Sequence, residues 1–259
     1  MSALEYLIEG ATDIGNVKGV NQDSFMGKVI DTNQGKVAFA ILCDGMGGLK
    51  FGEIASASVV QAYNEWLEHN FKYLSEWQIQ EDDIRSSMTN LAIQFNEKIK
   101  AYGRERGISI GTTLTAILML SDKYYIVHVG DTRIYEIDQN ICQLTKDQTL
   151  VQREIDMGRL TYEQAKTDPR SSILLQCIGA SDTVYPDFIT GTTRDNCTYL
   201  LCSDGFRHKL SDEEIGFYLQ PGNLLNTVMI EDSLKNLIEL NKQRQETDNI
   251  TAIVIRTYN

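Results

Sequence analysis

The sequence predicts an α+β fold built on antiparallel strands, and three observations carry that reading. Short apolar and β-branched runs come in pairs across turns rich in Asp, Asn and Gly, as hairpins do. Two longer segments instead repeat apolar residues at three- and four-residue steps, the period of a buried helix face. Acidic residues recur at strand mouths: Asp44, Asp131 and Asp204 leave strands and Asp248 enters one. Antiparallel neighbours set an exit beside an entrance, so these acids are expected together on one edge of the sheet.

The first strand is read over Leu4 to Thr12, followed by a loop at Asp13–Gly19. Ser24–Ile30 and Val37–Cys43 make a hairpin about Asp31–Gly35, placing Asp23 and Asp44 at its open end. Ile54 to about Phe71 is a helix showing Ala55, Val59, Tyr63 and Trp66 on one face. A second helix, Ile84 to Tyr102, aligns Ile84, Met88, Leu91, Phe95, Ile99 and Tyr102 and is closed by Gly103 and Gly107. Both stripes read as core-packing faces.

Gly111-Thr112-Thr113 opens a strand to Leu120, Ser121-Asp122-Lys123 turns, and Tyr124–Val129 returns. Gly130–Arg133 then leads to a strand at Ile134–Ile137, which puts Asp131 at the edge where Gly111 began. From Leu144 to Ile178 the texture changes. Asp147 is expected to cap a short helix through Met157, Thr161 with Gln164 forms a capping box for another, and strand character resumes at Ile173. Pieces this small suggest an insertion lying over the main body. Strands follow at Tyr185–Gly191 and Thr198–Ser203. Ser211 with Glu214 caps a short helix, Val228 to about Asn241 is helical, and Ile250–Ile255 closes the sheet.

Composition narrows the function. The 259 residues can bury a substantial core as one large or two small domains. Against 24 Lys and Arg stand 36 Asp and Glu, a formal charge of −12 that lacks the basic footprint of a nucleic-acid binder. Cys43, Cys142, Cys177, Cys197 and Cys202 are odd in number and contain no Cys-x-x-Cys pair, which fits a reducing cytoplasm. There is no signal-peptide pattern at the first residues and no apolar run of the ~20 residues that spans a bilayer.

The chemistry is concentrated at Leu42-Cys43-Asp44-Gly45-Met46-Gly47-Gly48, where a strand delivers a carboxylate into a glycine-dense loop. Taken singly, Asp-Gly is a turn dipeptide. With Asp23, Asp131, Asp204 and Asp248 at the same place, the carboxylates repel one another and call for compensation, and hard divalent cations supply it through all-oxygen sites. The histidines give no zinc site: His69 and His208 read as surface positions and His128 as a structural residue within a strand.

The ordered set Thr12-Asp13-Ile14-Gly15, Lys18, Asn21-Gln22-Asp23, Asp44-Gly45-Met46-Gly47-Gly48, Gly111-Thr112-Thr113, Val129-Gly130-Asp131-Thr132-Arg133, Ser203-Asp204-Gly205 and Asp248-Asn249-Ile250-Thr251 resembles the metal-dependent Ser/Thr protein phosphatases of type 2C. Met46, where the eukaryotic branch usually has histidine, makes the resemblance one to the bacterial branch. It implies a four-layer α-β-β-α sandwich of two antiparallel sheets flanked by helix pairs, forming a single catalytic domain over 1–259 with a mobile flap at about 145–178. It implies two Mn²⁺ or Mg²⁺ ions bridged by Asp44, with Asp204 and Asp248 on the first, the Gly45 carbonyl on the second and Asp23 acting mostly through bound water. Asp131 with Asp204 would hold a third ion. The expected substrates are phosphoserine and phosphothreonine proteins, with a bacterial Ser/Thr kinase as counterpart, acted on by a monomer with no nucleic-acid partner.

Two cations sharing a water bring its pKa towards ~7, giving a hydroxide that attacks phosphorus in line without a phosphoenzyme. Lys18 stands where the family usually has arginine and keeps the charge for phosphate while losing the bidentate fork. Gln22 replaces a common glutamate, Gln148 a usual histidine and Gln176 a common arginine. Those departures leave a second reading, a weak or inactive relative that binds phosphoproteins. Covalent chemistry is disfavoured: Cys202 and Arg207 are one residue too close for a cysteine-based phosphate loop, and no Asp-x-Asp-x-Thr stretch is present. Gly45 to Gly52 also lacks the Gly-Lys-Ser/Thr ending of a nucleotide-binding loop.

Overall fold

The hairpins of the sequence assemble into two five-stranded antiparallel sheets. The computed structural model describes residues 4–46, 51–76, 79–120 and 122–259. Gly47 and Gly48 of the glycine-dense loop and the turn residue Ser121 lie outside them. One sheet is formed by β2 (Asp23–Thr32), β3 (Gly35–Asp44), β4 (Leu114–Leu120), β5 (Lys123–Val129) and β8 (Asp187–Thr192), in that spatial order. The other runs β1 (Glu5–Asp13), β10 (Ile250–Tyr258), β9 (Cys197–Cys202), β6 (Arg133–Ile137) and β7 (Ile141–Gln143).

Both faces of the central strands are covered, so they read as continuous apolar runs rather than as alternating ones. In β3, Val37, Phe39, Ile41 and Cys43 point to the helices α1 (Gly52–Ser75) and α2 (Glu81–Arg106), where Ala55, Val59, Tyr63, Ile84 and Met88 meet them. The alternate residues Ala38, Ala40 and Leu42 face the second sheet and pack with Tyr199, Leu201, Ile253 and Ile255. On the far side of that sheet, Leu200, Cys202, Ala252 and Val254 meet Phe206 of α5 (Asp204–Arg207), Ile215 of α6 (Asp212–Leu219) and Ile230, Leu234 and Leu237 of α7 (Thr227–Gln243). The layer order is the expected α-β-β-α.

Three local expectations are corrected. Gly103 does not end α2. It lies inside the helix, and the chain leaves at Gly107 (φ +64°), whose N–H donates to the Arg104 carbonyl while Ile108 N–H reaches back to Gly103. A Cβ on Gly103 would stand 2.7 Å from the Ile108 carbonyl oxygen, so the glycine is needed for that return. Asp147 is not a helix cap either: Thr149 caps α3 (Leu150–Asp156), accepting from Gln152 N–H, and Asp147 is taken by Arg133. Ile173 does not restart a strand: the stretch after it makes only isolated bridges, Leu174 to Thr149, which closes the base of the 149–174 segment, and Ile178 to Thr112. Within that segment α4 (Tyr162–Ala165) has the expected Thr161–Gln164 capping box.

Candidate active site

The acids meet, but not on one edge of one sheet. Asp23 and Asp44 are direct register partners at the end of the β2–β3 pair. Asp204 opens α5 just after β9, and Asp248 lies two residues before β10, both in the other sheet. Asp131 sits on the connection from β5 to β6, where the chain crosses between sheets. They converge because both sheets finish at the same end of the sandwich.

Backbone contacts fix each acid. Asp44 is held on both sides by Gly111-Thr112-Thr113: its N–H donates to Thr113 Oγ1 at 2.8 Å, and its carbonyl accepts from Thr113 N–H and the Thr112 hydroxyl, each at 2.9 Å. Gly45 N–H donates to the Gln22 carbonyl at 3.1 Å. A Cβ on Gly45 would lie 2.5 Å from that oxygen and 2.6 Å from the backbone of Gly52, so only glycine fits between them. Asn249 pins the opposite corner: its side-chain nitrogen donates to the carbonyls of Ile14 (2.9 Å) and Val20 (3.2 Å), and its oxygen accepts from Gln22 N–H. The loop bearing Lys18 is thereby tied to Asp248. Gly205 passes so close that a Cβ there would be 2.1 Å from the Asn249 carbonyl. Thr251 donates its hydroxyl to Asp23 Oδ2 at 2.6 Å, linking the two sheets at the acids.

The electrostatics are those of a site short of positive charge. Burial first, then the charges of Asp204 and Asp248, push the Asp23 carboxyl up to about 7. Burial and the charges of Asp23, Asp204, Asp131 and Asp248 raise Asp44 well above the carboxylate range. Burial and Asp204 bring Asp131 up to about 7, Arg207 opposing. Lys18 pairs with Asp248 at 2.8 Å and faces Asp44 and Asp204; burial pulls its pKa down, but these acids outweigh that and raise it. One oxygen of Asp23 and one of Asp204 are buried with no hydrogen-bond partner among the described residues. Buried carboxylate oxygens in that state are costly, and hard cations with oxygen coordination suit them. Among the described residues no three acidic, imidazole or thiol groups close on a single point: Asp248 is turned to Lys18 and Asp23 to Thr251. The donor set, carboxylate and carbonyl oxygens, is of the kind that divalent cations take.

The departures from the family pattern have local explanations. Gln22, which removes a carboxylate, donates its side-chain amide to Glu53 Oε2 at 3.3 Å, so an acid from α1 stands beside it. Glu53 escaped sequence reasoning because a lone glutamate in the first turn of a helix reads as a dipole partner. Gln148 and Gln176 form an uncharged clasp. Gln148 Oε1 accepts from Gly130 N–H (2.8 Å) and from Gln176 Nε2 (2.9 Å), while Gln148 Nε2 donates to Asp187. The clasp joins the base of the 149–174 segment to the sheet end. His128 is structural, hydrogen-bonded to Thr115 and the Lys146 carbonyl. His208 is not a plain surface residue, since it faces Asp204 at 3.6 Å and the buried Glu246 at 3.7 Å. Cys202 is fully buried, with its thiol pushed up to about 12, and offers no nucleophile.

An α-β-β-α sandwich that gathers carboxylates from both sheets around a cationic side chain defines a divalent-metal hydrolase of the phosphatase type. Comparison with known proteins makes the class specific. A protein phosphatase 2C family model matches residues 16–244. A putative protein phosphatase 2C-type of Streptococcus pyogenes is 30% identical over 247 residues, 94% of each chain. The serine/threonine phosphatase of S. agalactiae superposes with a TM-score of 0.80 at 30% identity, over 97% of this chain and 99% of that one. The catalytic domain of the serine/threonine phosphatase PstP, solved with 2 manganese ions, gives a TM-score of 0.76 at 30% identity, over 99% and 100% of the two chains. The chain belongs to the protein phosphatase 2C family, as a bacterial-type, metal-dependent serine/threonine phosphatase.

Proposed function

We propose that this chain hydrolyses phosphoserine and phosphothreonine in proteins at the shared end of its two sheets, with Asp44, Asp204 and Asp248 as the residues on which catalysis depends. One observation carries the assignment of the site: half-buried or buried acids from both sheets meet beside Lys18, and two of them keep a buried oxygen unpartnered among the described residues. Asp44 would bridge two ions, Mn²⁺ or Mg²⁺, Asp204 and Asp248 would complete the first, and the Gly45 carbonyl would serve the second. Asp23 acts at one remove, and Asp131 lies near Asp204 where the family resemblance puts a third ion. Ions bound there lower the pKa of a shared water and polarise the phosphoryl oxygens.

The protein's own residues set the geometry. Lys18 binds a phosphate oxygen as a point charge, and Asn249 holds its loop in place. Thr112 and Thr113 fix the backbone of Asp44, which sets where its carboxylate enters the site. Met46 has no proton to give, so that position supplies no general acid. The flap at about 145–178 belongs to the same single domain, 1–259, anchored by the Gln148–Gln176 clasp beside Asp131. We place the enzyme in the cytoplasm as a monomer acting on proteins phosphorylated by a bacterial Ser/Thr kinase. The five free cysteines support a reducing compartment, and among the described residues no helix is long and apolar enough to cross a membrane. The test is release of phosphate from a phosphothreonine peptide with Mn²⁺, with EDTA, and with Asp44→Asn. Turnover confined to the first condition supports the assignment. A folded wild type that binds the peptide but releases no phosphate at any metal concentration makes it a phosphoprotein-binding module instead.

A further inference from the structure

Arg207 attracts notice in the sequence only as a residue too close to Cys202 for covalent phosphatase chemistry. In the fold it stands at the third-ion position. Its side chain is largely buried, with Nη2 3.8 Å from Asp131 Oδ2, 3.3 Å from the Asp131 carbonyl and 3.4 Å from Asp147 Oδ2. Asp147 is in turn gripped by Arg133 through two hydrogen bonds of 2.7 Å. Arg207 Nε is buried and unpartnered among the described residues, so the guanidinium is placed by the two carboxylates rather than by a full set of hydrogen bonds.

The charges divide the cluster in two. Around Asp131 the chain supplies its own cations: Arg207 stands beside Asp131 and Asp147, Arg133 grips Asp147, and Asp204 is the further acid whose charge reaches Asp131. Asp23, Asp44, Asp204 and Asp248 have as ion-pair partners within 4.0 Å, among the described residues, only Lys18 and, when protonated, His208. Asp131 thus has a guanidinium beside it that Asp23 and Asp44 lack.

We propose that Arg207 acts as a built-in cation at the third position, making this chain a two-ion enzyme in which Asp131 is matched by protein rather than metal. The inference rests on the metal assignment above. A divalent ion on Asp131 would share that carboxylate with a guanidinium already beside it, and like charges in a buried site repel strongly. Arg207 is also fixed through Asp147 to the base of the flap, so displacing it would disturb the segment that begins there.

Equilibrium dialysis of the full chain against Mn²⁺, with bound metal counted by mass spectrometry, tests this without reference to turnover. The wild type should saturate at two ions per chain, and Asp131→Asn should leave that number unchanged. Arg207→Gln should acquire a third ion with at least tenfold tighter binding than any third ion in the wild type. A wild type that takes up three ions, the third lost in Asp131→Asn, overturns the proposal even if Arg207→Gln fails to fold. A wild type that binds fewer than two ions refutes the metal assignment itself, a different result from a third ion appearing.

Discussion

Replacing Asp44 by Asn should disable the enzyme and stabilise the metal-free protein, two effects that few structural lesions produce together. Asp44 faces four like charges, those of Asp23, Asp204, Asp131 and Asp248. Its neighbours set the scale: Asp23 and Asp131 are each pushed from 3.8 to about 7. At roughly 1.4 kcal/mol for each tenfold in proton affinity, the carboxyl of Asp23 or of Asp131 alone costs ~4 kcal/mol at pH 8, which gives the order of magnitude at this cluster. The groups titrate together and Asp44 keeps some exposure at the mouth of the site, so we expect the variant to recover about 1–3 kcal/mol. For a chain of this size that is roughly 3–8 °C in Tm. The sign follows from the raised values: between about 4 and 7 the folded state holds protons that the unfolded chain releases, so stability falls as pH rises through that window. Thermal unfolding in EDTA should therefore show Asp44→Asn above the wild type at pH 8, with the gap closing near pH 4.5. Adding Mn²⁺ should reverse the order, since an ion at one hundred times its Kd adds about 2.7 kcal/mol to the protein that binds it. Phosphate release should drop by at least ~10²-fold, since removing a group that only supports a metal ligand already costs about 10–100-fold. A variant less stable than the wild type in EDTA at pH 8, or a gap that does not depend on pH, refutes the like-charge account.

Three further substitutions probe the supports of the site. Lys18→Ala should lower kcat/KM on a phosphothreonine peptide by about 10–100-fold, the worth of a charge-assisted hydrogen bond, chiefly through KM, and Lys18→Arg should restore it. Asn249→Ala strands the Gln22 amide and the carbonyls of Ile14 and Val20, and should cost about 2–4 kcal/mol in urea unfolding while raising KM as the Lys18 loop loosens. Gly205→Ala forces a methyl to within 2.1 Å of the Asn249 carbonyl, and should cost at least 1–3 kcal/mol and weaken Mn²⁺ binding measured by calorimetry.

The sequence made the site legible because its acids sit where period-2 runs stop, and the end of a strand is a position that antiparallel topology constrains. Asp23 and Asp44 could be paired from the hairpin alone, and they are register partners. What sequence could not supply was the partition between sheets. A hairpin tells which strands are neighbours, but the placement of β9 beside β10 in a second sheet depends on long-range packing of Tyr199, Leu201, Ile253 and Ile255 against β3 and β4. Asp147 was misread for a related reason. An acid ahead of a helical stretch is a good cap by local rules, and only the fold brings Arg133 and Arg207 to it. Gln148 and Gln176, 28 residues apart, looked like two losses until the structure set them against each other.

The same partition explains how the site tolerates its departures from the family pattern. Where Gln22 removes a charge, Glu53 at the start of α1 stands within hydrogen-bonding reach. Where Gln148 and Gln176 replace basic side chains, amides satisfy the Gly130 N–H and the Tyr185 backbone without ionising. Basic groups at those positions would add positive charge near Asp131, which already has Arg207 beside it. Neutral amides there keep the flap anchored without enlarging the cationic corner. The unmatched negative charge stays with Asp23, Asp44, Asp204 and Asp248, where divalent cations and the phosphate they attract can be held beside Lys18.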